Sequence, residues 1–422
     1  MRSFTPREWS IIGGAFVLLG LFFGFNFMFG IFMKPLIAEF GWSTSATSAA
    51  YSIYMFMVAV CGVAVGGLAD RYGARPVIIA GIVVAGGSVA LSYSIQNLWQ
   101  FYFLTGVMAG LGRSALQTPV SAYLQRAFTR NRGLATGLAG SGSGMGLIFI
   151  APLTGYFITA HGWRMAYLLL GLLFIALAVP AALMLRASDE RREEAPAPAR
   201  ARAEAAPPSV LLPEASLGVR EIVKRRPFWA IMGSHTTDCV CHSVLILHLV
   251  PIAIEAGIDR VQAASLMGVM GVSQLLGRVL TGVLSDRVGP KLALLAALLS
   301  QTLPVPLLWA SPTLPAFFVV AAMVGLGLGG HGTMYQIVTR EYYGPKRVGL
   351  LFGTFTSGAS VGMATGGFAG GLLRDLSGDY SLAILFSFAT GVVSVLLVLA
   401  YPGRKGQAAP SPAPEGAAQP AG

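Results

Sequence analysis

The chain has 422 residues, of which 55% are hydrophobic and only 11% charged, and its mean hydropathy is +0.68. A soluble domain carries about 25% charged residues, so this composition excludes an ordinary soluble globule and points to a membrane protein. The net charge of +11 invites a nucleic-acid or anionic-lipid reading, which the distribution of that charge argues against. Three cysteines, Cys61, Cys239 and Cys241, all lie inside apolar runs and imply no disulfide framework.

In chain order, twelve apolar segments are long enough to span a bilayer, at roughly 20 residues each. They fall near 10–36, 45–69, 76–95, 98–124, 133–159, 164–186, 228–256, 262–285, 291–310, 314–340, 347–373 and 380–401. The first is too long for the core of a signal peptide and no small-residue cleavage site follows it, so it reads as a retained helix. Residues 187–226, rich in Ala, Pro, Arg and Glu, read as a flexible linker between an N-terminal six-helix bundle (1–186) and a C-terminal one (227–401). Its basic end, Arg220, Lys224, Arg225 and Arg226, reads as ordinary positive-inside anchoring. Residues 402–422, rich in Pro, Ala and Gly, read as a disordered tail.

Assigning alternate loops to one side places 23 of the 29 Lys and Arg residues on the side shared by both termini. The other six are Lys34, Arg113, Arg164, Arg260, Arg278 and Arg374. This asymmetry is the positive-inside signature, so both termini are expected in the cytoplasm and the basic pI reports topology, with no nucleic-acid partner. All six tryptophans (Trp9, Trp42, Trp99, Trp163, Trp229, Trp309) fall near expected helix ends, as an interfacial aromatic belt requires.

A polar phrase occurs twice. The first copy is Gly67-Leu68-Ala69-Asp70-Arg71-Tyr72-Gly73, and the second is Gly282-Val283-Leu284-Ser285-Asp286-Arg287-Val288-Gly289. Asp70 and Asp286 are 216 residues apart, and each copy joins two apolar runs as a tight charged turn. Arg126-Ala127-Phe128 and Arg340-Glu341-Tyr342 repeat at nearly the same offset, and Gly/Ser-rich helices follow both. One offset relating separate features means a duplicated helical bundle, the architecture of secondary carriers. No phosphate-binding loop and no nucleophile–base arrangement appears in the sequence, so neither ATP-driven transport nor an enzyme is expected, and no cofactor is implied.

The Gly-x-x-x-Asp-Arg-x-Gly turns resemble the cytoplasmic signature of the major facilitator superfamily, and the resemblance covers nearly the whole chain. Phe32-Met33-Lys34-Pro35-Leu36 running to Glu39-Phe40-Gly41-Trp42-Ser43, then His248-Leu249-Val250-Pro251 with Gly257-Ile258, and Gly277-Arg278 resemble its monocarboxylate and oxalate/formate porter branch. The resemblance implies an all-α fold of twelve transmembrane helices in two pseudo-symmetric six-helix bundles. It also implies rocker-switch alternating access around a cavity lined by helices 1, 4, 7 and 10, with contributions from 2, 5, 8 and 11. The helix-eight arginine that binds the substrate carboxylate in that branch falls on Arg278. At Arg113 the branch carries a small residue, and near Gln117 an aromatic hydroxyl, so this chain departs from the simplest lactate-type site.

Depth arithmetic selects candidates independently. At 1.5 Å rise per residue, Arg278 lies about 12 Å above Asp286, Asp238 about 16 Å into helix seven, His331 about 14 Å above Arg340 and Arg113 about 20 Å above Arg126. With a hydrocarbon half-thickness of roughly 15 Å, all four fall near the midplane. Isolated charge there costs at least about 2.5–3.5 kcal/mol, so these groups are expected to face water or one another.

Arg278 is the expected carboxylate contact, because a guanidinium matches a carboxylate bidentately; a structural pin is the alternative. Arg113 is expected either to pair with Asp238 or to serve a second carboxylate. Gln117 is a further candidate cavity residue, and Asn26 and Tyr335 are each expected either to line the cavity or to hydrogen-bond helices together. Asp238, His235 and His242 share one face of helix seven and, with His331, form a candidate proton-coupling group. Asp70, Arg71, Asp286 and Arg287 are expected to gate through salt bridges, and Lys34 to snorkel to the interface.

His235-x-x-x-Cys239-x-Cys241-His242 also invites a metal reading, in which Cys239 and His242 share a face with His235 and Cys241 points elsewhere. The main expectation is a proton-coupled carrier of a monocarboxylate, monomeric, in a bacterial cytoplasmic membrane and with no resident metal. Dicarboxylate exchange through both arginines is the alternative. A copper importer or transceptor using the His/Cys face is a third reading.

Overall fold

The structure, a computed structural model, describes residues 4–128, 132–185, 219–343 and 348–400. Of the expected linker over 187–226, residues 187–218 lie outside the described residues, as do the tail over 402–422 and the side chains of Asp70 and Gln117. The linker's end is ordered, with a helical turn at Val219–Ile222 and the next helix starting at Arg226.

Helix α1 (Pro6–Phe40) starts at a capping box: Glu8 N donates to the Thr5 hydroxyl while the Glu8 carboxylate accepts from Thr5 N. Ser43 caps α2 (Thr44–Tyr72) by accepting from Ala46 N at 3.1 Å. After α3 (Ala74–Leu91), helix α4 runs through Leu98–Phe101, a π-helical stretch Tyr102–Met108 and Ala109–Ala127. Arg132–Gly140 and the following long helix Gly142–Leu183 contain α5 and α6, separated at Gly162, where φ is 77°. Next come α7 (Arg226–Glu255), α8 (Arg260–Val288, capped by Asp259), α9 (Pro290–Thr302), α10 (Leu314–Tyr343), α11 (Val348–Ser377) and α12 (Ser381–Ala400).

Among the described residues, nine helical stretches are long and apolar enough on their own to cross a membrane. One of these, Ala135–Leu183, has 49 residues and crosses twice because it breaks at Gly162. Helices α4 and α11 complete the set of twelve. Their mean hydropathy is diluted by Arg113, Gln117 and Thr118 in the first, and by Thr354, Thr356, Ser357, Ser360 and Thr365 in the second. Such helices are tolerated where neighbouring protein or a cavity satisfies the polar groups.

The duplicated turns are superimposable in conformation. Gly73 has φ 88° and ψ 150°, and Gly289 has φ 89° and ψ 157°; each closes one helix and opens the next. Only glycine adopts this region without strain, which explains why the phrase ends on Gly in both copies.

Small residues set how tightly the helices pack. A Cβ on Gly146 would lie 1.9 Å from the Gly20 carbonyl oxygen, joining α5 to α1, and one on Gly362 would lie 2.3 Å from Thr236 O, joining α11 to α7. These are equivalent contacts in the two bundles. Likewise α2 meets α4 at Gly110, and α8 meets α10 at Gly329. The bundles meet each other through α2–α11, α5–α8 and α1–α7.

Candidate functional site

The N-terminal bundle holds Arg113 in an aromatic setting. Its side chain is 6% exposed. Nη1 donates to Asn26 Oδ1 at 2.7 Å and to the Tyr54 hydroxyl, and the guanidinium lies 3.7 Å from the centre of the Phe22 ring. A pocket borders it, lined by Phe25, Phe29, Tyr54, Leu116, Tyr167 and Phe174 among others. A cation over a ring face is stabilised without being neutralised, so Arg113 keeps its full capacity to attract an anion. Asn26, left open by the sequence between cavity lining and interhelical bonding, joins α1 to α4 through Arg113. Tyr54 and Phe22 were missed, because tyrosines and phenylalanines in apolar runs give no sequence signal until a cation is set against them.

Arg278 lies at the α8–α5 seam. Nη2 donates to Ser143 Oγ at 3.2 Å, and Nη1 packs against Gly140, where a Cβ would come within 2.8 Å. Among the described residues no carboxylate lies within salt-bridge distance of Arg113 or Arg278. The Arg113–Asp238 pair left open by the sequence does not form: the two belong to separate clusters, one in each bundle.

Asp238 gathers the C-terminal polar groups. It is 1% exposed, and Gln301 of α9 donates to its Oδ1 at 3.3 Å. The other oxygen, Oδ2, lies 3.8 Å from His242 Nδ1 and 3.9 Å from His331 Nε2. His235 completes the group by stacking on Tyr335, with ring centres 4.1 Å apart. The His/Asp grouping expected from helix-seven periodicity is thus assembled, and α10 contributes His331. Tyr335 takes the interhelical alternative: it is fully buried, its hydroxyl pairs with Ser234 Oγ of α7 at 2.8 Å, and its ring forms a platform for His235. Gln301 was not foreseen, since a lone Gln in an apolar run carries no periodic signal.

At the end opposite the chain termini the bundles are joined, among the described residues, by one ion pair and by a carboxylate cap. Lys34 of α1 pairs with Glu255 of α7, and Arg374 of α11 reaches the same carboxylate at 3.1 Å. Asp375 accepts from Thr44 N at 2.9 Å and Ser45 N at 2.6 Å, capping α2 from across the interface. Lys34 therefore does not snorkel to lipid, because Glu255 lies within reach across the bundle interface. At the other end Arg71, Asp286 and Arg287 are exposed and, among the described residues, make no ion pair. The salt bridges expected of Arg71, Asp286 and Arg287 are thus not formed among the described residues, and the side chain of Asp70 lies outside them.

The sequence profile of the Major Facilitator Superfamily matches residues 15–251 and again 237–421. The chain belongs to this superfamily. It is a member of the branch resembling the monocarboxylate transporters, and it is a transporter, not an enzyme. Monocarboxylate transporter 13 of Bos taurus is 28% identical over 396 residues, covering 93% of this chain and 89% of that one. Monocarboxylate transporter 11 of Homo sapiens is 28% identical over 392 residues, covering 90% and 79%. Among solved structures, the nucleoside transporter NupG aligns with a TM-score of 0.72 at 11% identity, covering 93% of this chain and 99% of that one. A bacterial homologue of the human lysosomal transporter Spinster aligns at 0.66 with 15% identity, covering 94% and 95%. At such identities the solved structures speak to the superfamily fold alone.

Proposed function

We propose that this superfamily member is a secondary carrier of a small organic anion, a monocarboxylate moved together with a proton by alternating access. The observation that carries the reading is the pair of guanidiniums, Arg113 and Arg278, that have no carboxylate partner among the described residues. An uncompensated buried cation is costly, and a substrate carboxylate relieves that cost on binding. The monocarboxylate transporters among its relatives favour the same substrate class.

In this reading Arg278 grips the carboxylate, while Arg113, Gln117 and Asn26 shape the far side of the cavity. Asp238, His331, His242 and His235 carry the coupling proton, and Tyr335 positions His235. On the same reading the basic loops and both termini face the cytoplasm, and the carrier is a monomer in a bacterial cytoplasmic membrane. The bridged far end is then the outer gate, closed in this conformation. Asp70, Arg71, Asp286 and Arg287 pair when the inner end closes in turn.

The test is uptake into proteoliposomes of labelled lactate, pyruvate, oxalate and succinate, with and without an inward proton gradient. Gradient-stimulated monocarboxylate uptake that Arg278→Ala abolishes is expected; uptake unaffected by Arg278→Ala overturns the assignment. A second reading, dicarboxylate exchange, is favoured by there being two guanidiniums without a carboxylate partner among the described residues instead of one, and succinate or oxalate counterflow without gradient stimulation would select it.

A further inference from the structure

The anion reading does not use Cys239. We propose that Asp238, Cys239, His242 and His331 form a binding site for a divalent transition-metal ion of the zinc type. One ligand atom from each of these four side chains lies within 4.8 Å of the other three. Three come from α7, where positions 238 and 242 and positions 239 and 242 share a helical face, and the fourth comes from α10.

The spacing argues for an ion among these donors over direct hydrogen bonds between them. Separations of 3.8 and 3.9 Å from Asp238 Oδ2 to the two histidine nitrogens exceed any hydrogen bond between such groups. They are near the edge of a tetrahedron with metal–ligand bonds of about 2.0–2.1 Å, which is about 3.4 Å, so a small rotamer adjustment closes the cage. Asp238 Oδ2 and His242 Nδ1 are buried with no hydrogen-bond partner, although buried polar atoms are nearly always satisfied. Gln301 holds the other oxygen, Oδ1, an outer-shell contact that leaves Oδ2 aimed at the cluster.

Charge selects the valence. Asp238 as carboxylate and Cys239 as thiolate contribute two negative charges, and two neutral imidazoles contribute none. A divalent ion makes the site neutral, which is the arrangement that burial near a bilayer midplane favours. The thiol proton leaves to solvent as the metal binds. One sulfur, two nitrogens and one oxygen form the borderline-soft donor set that suits zinc and its cobalt surrogate. The neighbouring Cys241 takes no part: its sulfur lies 3.6 Å from the Ser387 hydroxyl, against α12. His331, the least buried of the four, gives the ion a route in from the cavity side.

The full-length protein in detergent, titrated with Co(II), is expected to bind one ion per chain with tetrahedral visible bands and a thiolate-to-cobalt charge-transfer band, both bleached by Zn(II). Cys239→Ser is expected to remove the charge-transfer band, and His331→Ala to weaken binding at least about tenfold. The double variant Cys61→Ser/Cys241→Ser, which leaves Cys239 as the chain's single thiol, is expected to keep the band and separates loss of a ligand from loss of fold. No charge-transfer band in the unmodified protein, a band that survives Cys239→Ser, or its loss in a monodisperse double variant would each overturn the site. With the ion bound, Asp238, His242 and His331 are deprotonated ligands and carry no coupling proton, so proton-coupled uptake runs on the metal-free protein and Zn(II) inhibits it. The readout above is metal binding alone, so its failure leaves the anion reading standing, and failure of anion uptake leaves the metal site standing.

Discussion

The two bundles share a backbone and oppose each other in chemistry. Subtracting the 216-residue repeat from Asp238 gives Phe22, the ring on which Arg113 stacks in the other bundle. Adding it to Arg113 gives Gly329, where a Cβ would lie 2.1 Å from the Gln274 carbonyl oxygen. The C-terminal bundle therefore has no room for an arginine at that level, because α8 and α10 pack there backbone to backbone. The N-terminal bundle offers a cation on an aromatic bed, and the C-terminal bundle an acid among histidines, with Arg278 at its seam with α5. Duplication supplies the repeated turns and divergence the buried charges; in the proposed reading Arg278 and Arg113 hold the anion and the Asp238 group the proton.

The sharpest way to break this comparison is to remove the cations. Arg278→Ala is expected to lower carboxylate uptake at least about 100-fold, since a bidentate charge-assisted pair is worth on the order of 3 kcal/mol, and Arg278→Lys should not restore it. Arg113→Ala should raise the KM for the same substrate. If Arg113→Ala abolishes uptake while Arg278→Ala spares it, the carboxylate belongs to the N-terminal wall and Arg278 is a pin to Ser143.

Asp238→Asn tests the acid-and-histidine cluster. Gradient-driven uptake should fall about tenfold or more while substrate counterflow survives, because counterflow needs no net proton movement; loss of both alike would make Asp238 structural. Phe22→Leu keeps the volume but removes the ring face under Arg113, and about 1 kcal/mol of cation–π stabilisation should appear as a roughly fivefold rise in KM. An unchanged KM would mean that the ring only packs.

The smallest effect is expected at the far end. Glu255→Gln removes the partner of both Lys34 and Arg374, whose side chains are 23% and 32% exposed. Partly exposed pairs contribute no more than about 1 kcal/mol, so cysteine-labelling rates at that end should rise only a few-fold. A larger change would give the network a dominant share in holding the gate shut.

Much of the fold is legible in the sequence. Helix lengths, the two turns and the duplication follow from apolar run length and from one repeated phrase, and helix-seven periodicity alone aligns His235, Asp238 and His242. The cavity is less legible. Asn26, Tyr54 and Phe22 meet Arg113 from two other helices, and Gln301 reaches Asp238 from α9. Their phases relative to one another depend on how the helices are rotated in the bundle, which no single helix encodes. Tyr335 shows the limit clearly: its depth suited a lining residue, but its rotation directs the hydroxyl to Ser234.

The sequence by itself determined that this is a duplicated twelve-helix membrane carrier and which ionisable groups lie deep within it. Hydrophobic length, glycine-dependent turns and loop charge are local properties that need no partner. The tertiary structure decided which of those groups meet. It gave Arg113 an aromatic bed instead of an acid, left Arg278 uncompensated and bridged the far end through Glu255. Those pairings depend on helix rotation and on close glycine contacts between distant segments, and only packing sets them.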